Sequence, residues 1–215
     1  MTAYKSEKYI KESLNSIPSN VSVVVGVDGC SLTLDYLLKI KDDYKNLKIL
    51  WCPNNAGTYI TRNTLLINTV SDNIIFLDSD DVYCGSLFKK ISENIINYDV
   101  IRWSYYILDK NGKTTTPKKN TYYTYANGVF ACKRKIFDLL GGYKNWRFSA
   151  DYDLQVRISK HNINTLKLNE NLMYYRQHET SLSKTVPISN RVGVEKKIGG
   201  DYVKPIIHDY FEYIK

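Results

Sequence analysis

Along the first 100 residues, the apolar positions follow two alternating rhythms. Short, largely apolar runs, VSVVVGV at 21–27, LKILWC at 47–52 and IIFL at 74–77, read as buried strands. Between them apolar residues recur every three or four positions: Tyr9, Ile10, Leu14 and Ile17 predict a helix over Lys8–Ile17 that Pro18 and Asn20 stop. Helices are likewise predicted over Leu32–Tyr44 and Thr58–Thr69. Strands apolar on both faces and separated by helices belong to a parallel sheet covered on both sides, which makes the class α/β. Beyond residue 100 the pattern is mixed. Val100–Leu108 reads as a strand, Asn111-Gly112 as a turn and Tyr122–Tyr125 as the second strand of a hairpin. A helix over Lys133–Leu140 should stop at Gly141-Gly142, and another is predicted over Asp151–Lys160. No repeat, low-complexity tract or linker interrupts the 215 residues, so a single domain is expected.

Charge adds a second asymmetry. Residues 1–107 hold 11 basic and 12 acidic side chains, whereas residues 108–215 hold 19 and 10. The net charge of +8 suits a polyanion, an anionic membrane face or a phosphorylated ligand, without choosing among them. The longest apolar runs are about five residues, where a membrane span needs roughly 20. The four cysteines, Cys30, Cys52, Cys84 and Cys132, form no CxxC pair; free thiols in a reduced, cytoplasmic setting are expected, and no zinc site.

Candidate chemistry gathers where the predicted strands end, since ligands of open α/β sheets bind at the carboxyl ends of the strands. Asp28 follows VSVVVGV, and Asp78, Ser79, Asp80 and Asp81 follow IIFL. Three carboxylates within four residues repel one another, and a divalent cation between them would relieve the repulsion. Hard oxygen ligands suit Mg²⁺ or Mn²⁺, whose shells are commonly completed by substrate phosphates. The segment by itself leaves a second reading open, in which Asp80 or Asp81 caps a following helix.

In order along the chain, these segments resemble the family 2 glycosyltransferases of the GT-A fold. Thr2-Ala-Tyr4-Lys5 with Glu7-Lys8-Tyr9-Ile10 is similar to the family's opening loop and helix. VVVGVDGCS at 23–31 is similar to its base-reading turn, and Asn55-Ala-Gly57 with Arg62-Asn63 to its Asn-x-Gly and Ala-Arg-Asn segment. LDSDD with Val82-Tyr83 is similar to the DxD metal motif. KRKIFDLLGGY at 133–143 resembles the stretch before the acceptor loop. Asp151 to Arg157 resembles the helix carrying the catalytic base, and Tyr175-Arg176-Gln177-His178 with Ser181 and Ser183 resembles the tail near the donor diphosphate. Three departures stand out. The apolar strand that normally precedes Thr-x-Tyr is shortened or missing, Gly29 stands where a second Asp is common, and Ala150 replaces a Glu before the base.

The resemblance implies a Rossmann-like, mostly parallel central sheet flanked by helices, with a small acceptor-side subdomain. The donor half would be 1–107; the acceptor half, with C-terminal helices, would be 108–215. It implies a metal-dependent, inverting transfer of a sugar from a UDP-sugar, first of all UDP-glucose, to a hydroxyl of a glycan or glycoprotein. Asp151 would be the base. Asp80, Asp81 and His178 would hold Mn²⁺ or Mg²⁺. Thr2, Tyr4, Asp28, Arg62, Asp78, Ser79 and Arg176 would contact the nucleotide sugar, with Asp78 nearer the ribose and Arg62 or Arg176 on phosphate. Tyr143 and Trp146 are candidates for an acceptor platform, and Asp153, on another face of the same helix, is the weaker base candidate. A monomer or weak dimer with peripheral membrane contact is expected. A nucleotidyltransferase is the rival enzyme, but no glycine-rich basic loop lies near Thr2–Lys11. A binder of nucleic acid or an anionic surface is the non-enzymatic rival, and no helix-turn-helix, RRM or zinc pattern supports it.

Overall fold

The computed structural model describes residues 1–117, 128–179, 181, 198–200 and 202–214. The predicted strand at Tyr122–Tyr125 and Ser183 lie outside them. The elements run β1 (Thr2–Ala3), α1 (Ile10–Asn15), β2 (Val23–Asp28), α2 (Ser31–Ile40), β3 (Leu47–Cys52), α3 (Thr58–Ile67), β4 (Asn73–Ile75), β5 (Val82–Tyr83) and α4 (Leu87–Asn94). There follow β6 (Val100–Leu108), β7 (Thr114–Thr115), β8 (Ala131–Lys133), α5 (Lys135–Leu140), α6 (Ala150–Lys160), β9 (Thr165–Arg176) and β10 (Glu212–Ile214).

Two sheets carry the chain. In the first, β1, β2 and β3 are parallel and β10 closes the edge antiparallel to β3. The β-branched run of β2 buries Val23, Val25 and Val27 against Ile10, Leu14 and Leu37 of α1 and α2, as its two-sided apolar pattern requires. On β2, Gly26 lets α3 approach closely, because a β-carbon there would lie 2.8 Å from Thr61 Cγ2. The second sheet, in the order β4-β8-β6-β9-β5 with β7 beside β6, is mixed: only β6 and β9 pair in parallel. Parallel pairing is therefore concentrated in the first sheet. A single parallel bridge between Thr2 and Asp78 joins the two.

β1 is two residues long, Thr2–Ala3, with Thr2 opposite Gly26 and Ala3 opposite Val27 of β2. The hairpin tip at Asn111-Gly112 forms as expected, but its returning strand is β7 at Thr114–Thr115. Lys133 belongs to β8, so the helix predicted from it starts at Lys135. The C-terminal helices are not found among the described residues. Instead the Gly142 amide donates to the Val203 carbonyl and the Val203 amide to the Leu140 carbonyl, and residues 202–214 run without a helix into β10; Pro205 has no amide hydrogen to give to one.

Gly29 shows why the second Asp of the turn is missing. Its φ is +68°, and a β-carbon would stand 2.3 Å from the Asn55 amide nitrogen. Gly29→Asp is expected to lower stability by about 1–3 kcal/mol through backbone strain and overpacking, read by thermal melting; an unchanged melting temperature would contradict this account of the turn.

Candidate active site

The ends of β1 and β2, the turn 78–81, the first turn of α3 and the start of α6 meet through a chain of contacts. Arg62 is its buried centre. From α3 its guanidinium donates to Asp78 Oδ1 at 2.6 Å, with the arginine side chain 3% exposed and the aspartate 35%. The guanidinium also lies over the rings of Phe76 and Tyr143, at 5.3 and 5.6 Å. Burial works to lower its pKa, but Asp78, then Tyr143, Tyr59 and Asp151, outweigh burial and raise it, so Arg62 stays charged.

The four residues of the acidic turn have four different surroundings. Asp78 is tied to Arg62. Ser79 is buried: its hydroxyl pairs with that of Ser6 at 2.6 Å, and its carbonyl accepts from the Ser13 hydroxyl, anchoring α1. Asp80 is half-buried, with Oδ2 2.9 Å from His178 Nε2. Burial first, and Asp78 second, raise its carboxyl pKa, opposed by the hydrogen bond to His178. Asp81 is 1% exposed; its Oδ1 accepts the Arg176 amide at 2.8 Å, while Oδ2 has no partner among the described residues. Burial, then Asp80 and Asp78, push its carboxyl well above the usual range. Asp81, grouped with the metal ligands on sequence grounds, is thus a buried acid under β9. Neither Asp80 nor Asp81 caps a helix, because α4 begins at Leu87 with Ser86 before it.

The β9 tail closes over this turn. Arg176 lies across the Tyr9 ring at 4.7 Å, donates Nε to the Asp80 carbonyl and Nη2 to Glu12, and so braces α1 against the acidic turn. His178 packs against the same Tyr9 ring, 5.2 Å between centroids. At the end of β2, Asp28 accepts the amides of Ala56 and Gly57 and the Asn55 side chain, each at 2.9–3.1 Å. Its carboxylate therefore holds the loop that starts α3. Tyr4, 47% exposed beside Thr2, presents an open ring at the same edge.

Asp151 sits in the first turn of α6, and its Oδ1 accepts the Tyr59 hydroxyl at 2.8 Å. Asp153 faces away, as its position predicts, and is fully buried in ion pairs with Arg157 and Lys144. Arg157 in turn donates to the carbonyls of Leu140 and Gly142, which fixes the Gly-Gly turn. Tyr143 is fully buried and stacks on Tyr59, so it is core and no acceptor platform. Trp146 is half-buried, with Lys144 Nζ 4.6 Å above its ring. Two site residues had no signal in the sequence. Tyr59 meets its partner only through a contact 92 residues long, and His208, buried between Thr61 and Asp28, reaches them from the far C-terminal segment.

Among the described residues no group of three or more His, Cys, Asp or Glu side chains is arranged to hold a metal by itself. Asp80 and His178 offer a carboxylate and an imidazole, a donor pair that Mn²⁺ accepts, and the remainder of a shell would have to come from ligand oxygens and water. None of the described helices is long and apolar enough to cross a membrane.

Comparison with known proteins agrees with this geometry. The sequence profile of glycosyl transferase family 2 matches residues 1–155, and the chain belongs to that family. An uncharacterized glycosyltransferase of Haemophilus influenzae is 30% identical over 139 residues, 60% of this chain and 56% of the relative. The poly(ribitol-phosphate) beta-N-acetylglucosaminyltransferase TarS of Staphylococcus aureus is 39% identical over 87 residues, 36% of this chain and 15% of its own length. This chain thus spans about half or less of these relatives. In structure, TarS in complex with UDP-GlcNAc superposes with a TM-score of 0.70 at 21% identity, covering 87% of this chain and 60% of that one. The mannosyltransferase PcManGT of Pyrobaculum calidifontis, in complex with GDP-Man and Mn²⁺, gives 0.68 at 13% identity over 84% and 56%. Both likenesses concern the fold, which is that of the GT-A glycosyltransferases.

The buried Asp81 yields a test by pH. Its folded-state pKa is raised, so above the unfolded value near 4 its ionisation opposes folding, and at lower pH that opposition vanishes. Asp81→Asn keeps an acceptor for the Arg176 amide, and should raise the melting temperature by a few degrees at pH 7 and leave it unchanged near pH 3. A lower melting temperature at pH 7 would mean that the charge itself supports the fold.

Proposed function

We propose that the chain transfers a sugar from a nucleoside diphosphate sugar to a hydroxyl of a glycan or glycoprotein, with inversion at the anomeric carbon and with Mn²⁺ or Mg²⁺ as cofactor. The observation that carries this reading is the placement of Asp80 and His178, 2.9 Å apart and both partly exposed, on the same turn as Asp78, whose partner Arg62 lies with Asp151 Oδ2 around Gly128. The UDP-GlcNAc and GDP-Man with Mn²⁺ bound by the structural neighbours support a nucleotide-sugar donor. We take a UDP-sugar as the donor, with UDP-glucose and UDP-GlcNAc as the first two to test. Residues 1–107 supply most of the donor side and 108–215 the acceptor side of one GT-A unit.

In this reading Asp80 and His178 hold the divalent ion, which when bound neutralises charge on the leaving diphosphate. Thr2, Tyr4 and Asp78 border the base and ribose, with Tyr4 offering its exposed ring. Asp28 and Ser79 act on the donor through the loops that they pin. Arg176 braces the acidic turn, and Arg62 orients Asp78. Asp151 accepts the proton of the acceptor hydroxyl as its oxygen bonds to the anomeric carbon; the bond to the diphosphate oxygen breaks, and its electron pair leaves with the nucleotide. Trp146 lies on the acceptor side, and the basic excess of residues 108–215 suits an anionic acceptor or a membrane surface.

Calorimetry with UDP and Mn²⁺ tests the donor site. Asp80→Ala should weaken metal-dependent UDP binding by at least about tenfold, since a charge-assisted ligand is lost; unchanged binding removes Asp80 from the metal. Asp151→Asn should bind UDP as the wild type does while transfer falls by about 10²–10⁴-fold, the range typical of a lost general base. Wild-type turnover in that variant rules out the base assignment.

A further inference from the structure

We infer that Tyr59 is the positioning residue of the base, orienting Asp151 so that one carboxylate oxygen, Oδ2, takes the acceptor's proton. The inference rests on the reading of Asp151 as the base. The Tyr59 hydroxyl donates to Asp151 Oδ1 at 2.8 Å, so one lone pair of that oxygen is fixed by the protein. Tyr59 itself is held in place. It lies in the first turn of α3, 8% exposed, and its ring stacks on Tyr143 at 5.5 Å and 26°. Tyr143 is locked by Asn63, which accepts its amide at 2.8 Å and donates to its carbonyl at 3.0 Å, and by the edge of Phe76 at 5.7 Å.

The other oxygen has a different setting. A β-carbon on Gly128 would lie 3.3 Å from Asp151 Oδ2 and 3.4 Å from Arg62 Nη1, so both atoms border the open side of a glycine. Arg62 Nη1 is buried without a hydrogen-bond partner among the described residues. The hydrogen-bond partner of its guanidinium is Asp78, through Nη2. Among the described residues the groups facing Asp151 are thus Tyr59 and Arg62 from α3, with the Tyr143 phenol behind Tyr59; on its own helix the nearest acid, Asp153, is paired with Arg157 and Lys144. Burial, then the charge of Asp151, raises the Tyr59 phenol pKa well above its ordinary value, which keeps it a donor at every pH at which the base works. One helical turn therefore carries, at i and i+3, the group that aims the base and the group that holds the donor-side Asp78.

Tyr59→Phe removes the hydroxyl and keeps the ring. Loss of the hydrogen bond to Oδ1 should move the acid limb of the kcat/KM profile up by about one pH unit. At neutral pH kcat should fall about tenfold or more, with the UDP Kd in the presence of Mn²⁺ unchanged within about twofold. A purely structural role would move melting temperature and UDP affinity together and leave the acid limb in place. An inactive Asp151→Asn variant beside a Tyr59→Phe variant with unshifted acid limb and unchanged kcat overturns the positioning role and leaves the base standing. An Asp151→Asn variant of normal activity overturns the base reading instead. If Tyr59→Phe does not fold, 3-fluorotyrosine at position 59 makes the phenol a stronger donor and should shift the acid limb downward; no shift there overturns the inference.

Discussion

The buried ion pair between Arg62 and Asp78 is the constraint around which the molecule is arranged. An arginine side chain 3% exposed, its guanidinium over the rings of Phe76 and Tyr143, is tolerable only with a carboxylate in contact, and Asp78 supplies it at 2.6 Å. Removing Asp78 would leave the buried guanidinium uncompensated, at a cost below the about 3–5 kcal/mol of a fully buried pair because the Asp78 side chain is 35% exposed and screened by water. The pair also sets geometry. It locks α3 to the turn that follows β4, at the residue where the bridge from Thr2 joins the two sheets. The carboxylates of the acidic turn and the helix that faces Asp151 are therefore tied into one unit.

From that pair the acidic turn divides its carboxylates by environment. Asp78 is spent on Arg62, Asp81 is buried beneath β9, and Asp80 alone lies beside a histidine. Three like charges so close would repel in an empty fold, and the raised values of Asp80 and Asp81 record that repulsion together with burial. Strength elsewhere comes from neutralised groups: Asp153 with Arg157 and Lys144, and Asp28 with the amides of its loop.

The C-terminal segment turns this half-sheet into a closed edge. β10 returns to pair with β3, and His208 inserts between Thr61 and Asp28, so residues far apart in the chain buttress the loop at the start of α3. The short β1 is offset by such long-range ties, including the Gly26 amide donating to the Met1 carbonyl.

The sequence by itself determined the α/β class, the two inner strands β2 and β3, the helix α3 and the place of the acidic turn, because each is written in local periodicity or in a dense run of one residue type. It also singled out Asp80, His178 and Asp151, through ordered motifs. Local pattern failed where burial is uneven or pairing is distant. β9 alternates weakly and pairs with β6 through irregular register at Ser104, and β10 is three residues at the chain's far end. The helix α4 was legible in the four-residue spacing of Leu87, Ile91 and Ile95, a pattern overshadowed by the carboxylates before it. Only the tertiary structure decided what each charge touches. Asp81 goes inward, Tyr143 into the core, Arg62 to Asp78 and Tyr59 to Asp151, since a side chain's partner is fixed by packing between elements that the chain brings together from 16 to 92 residues apart.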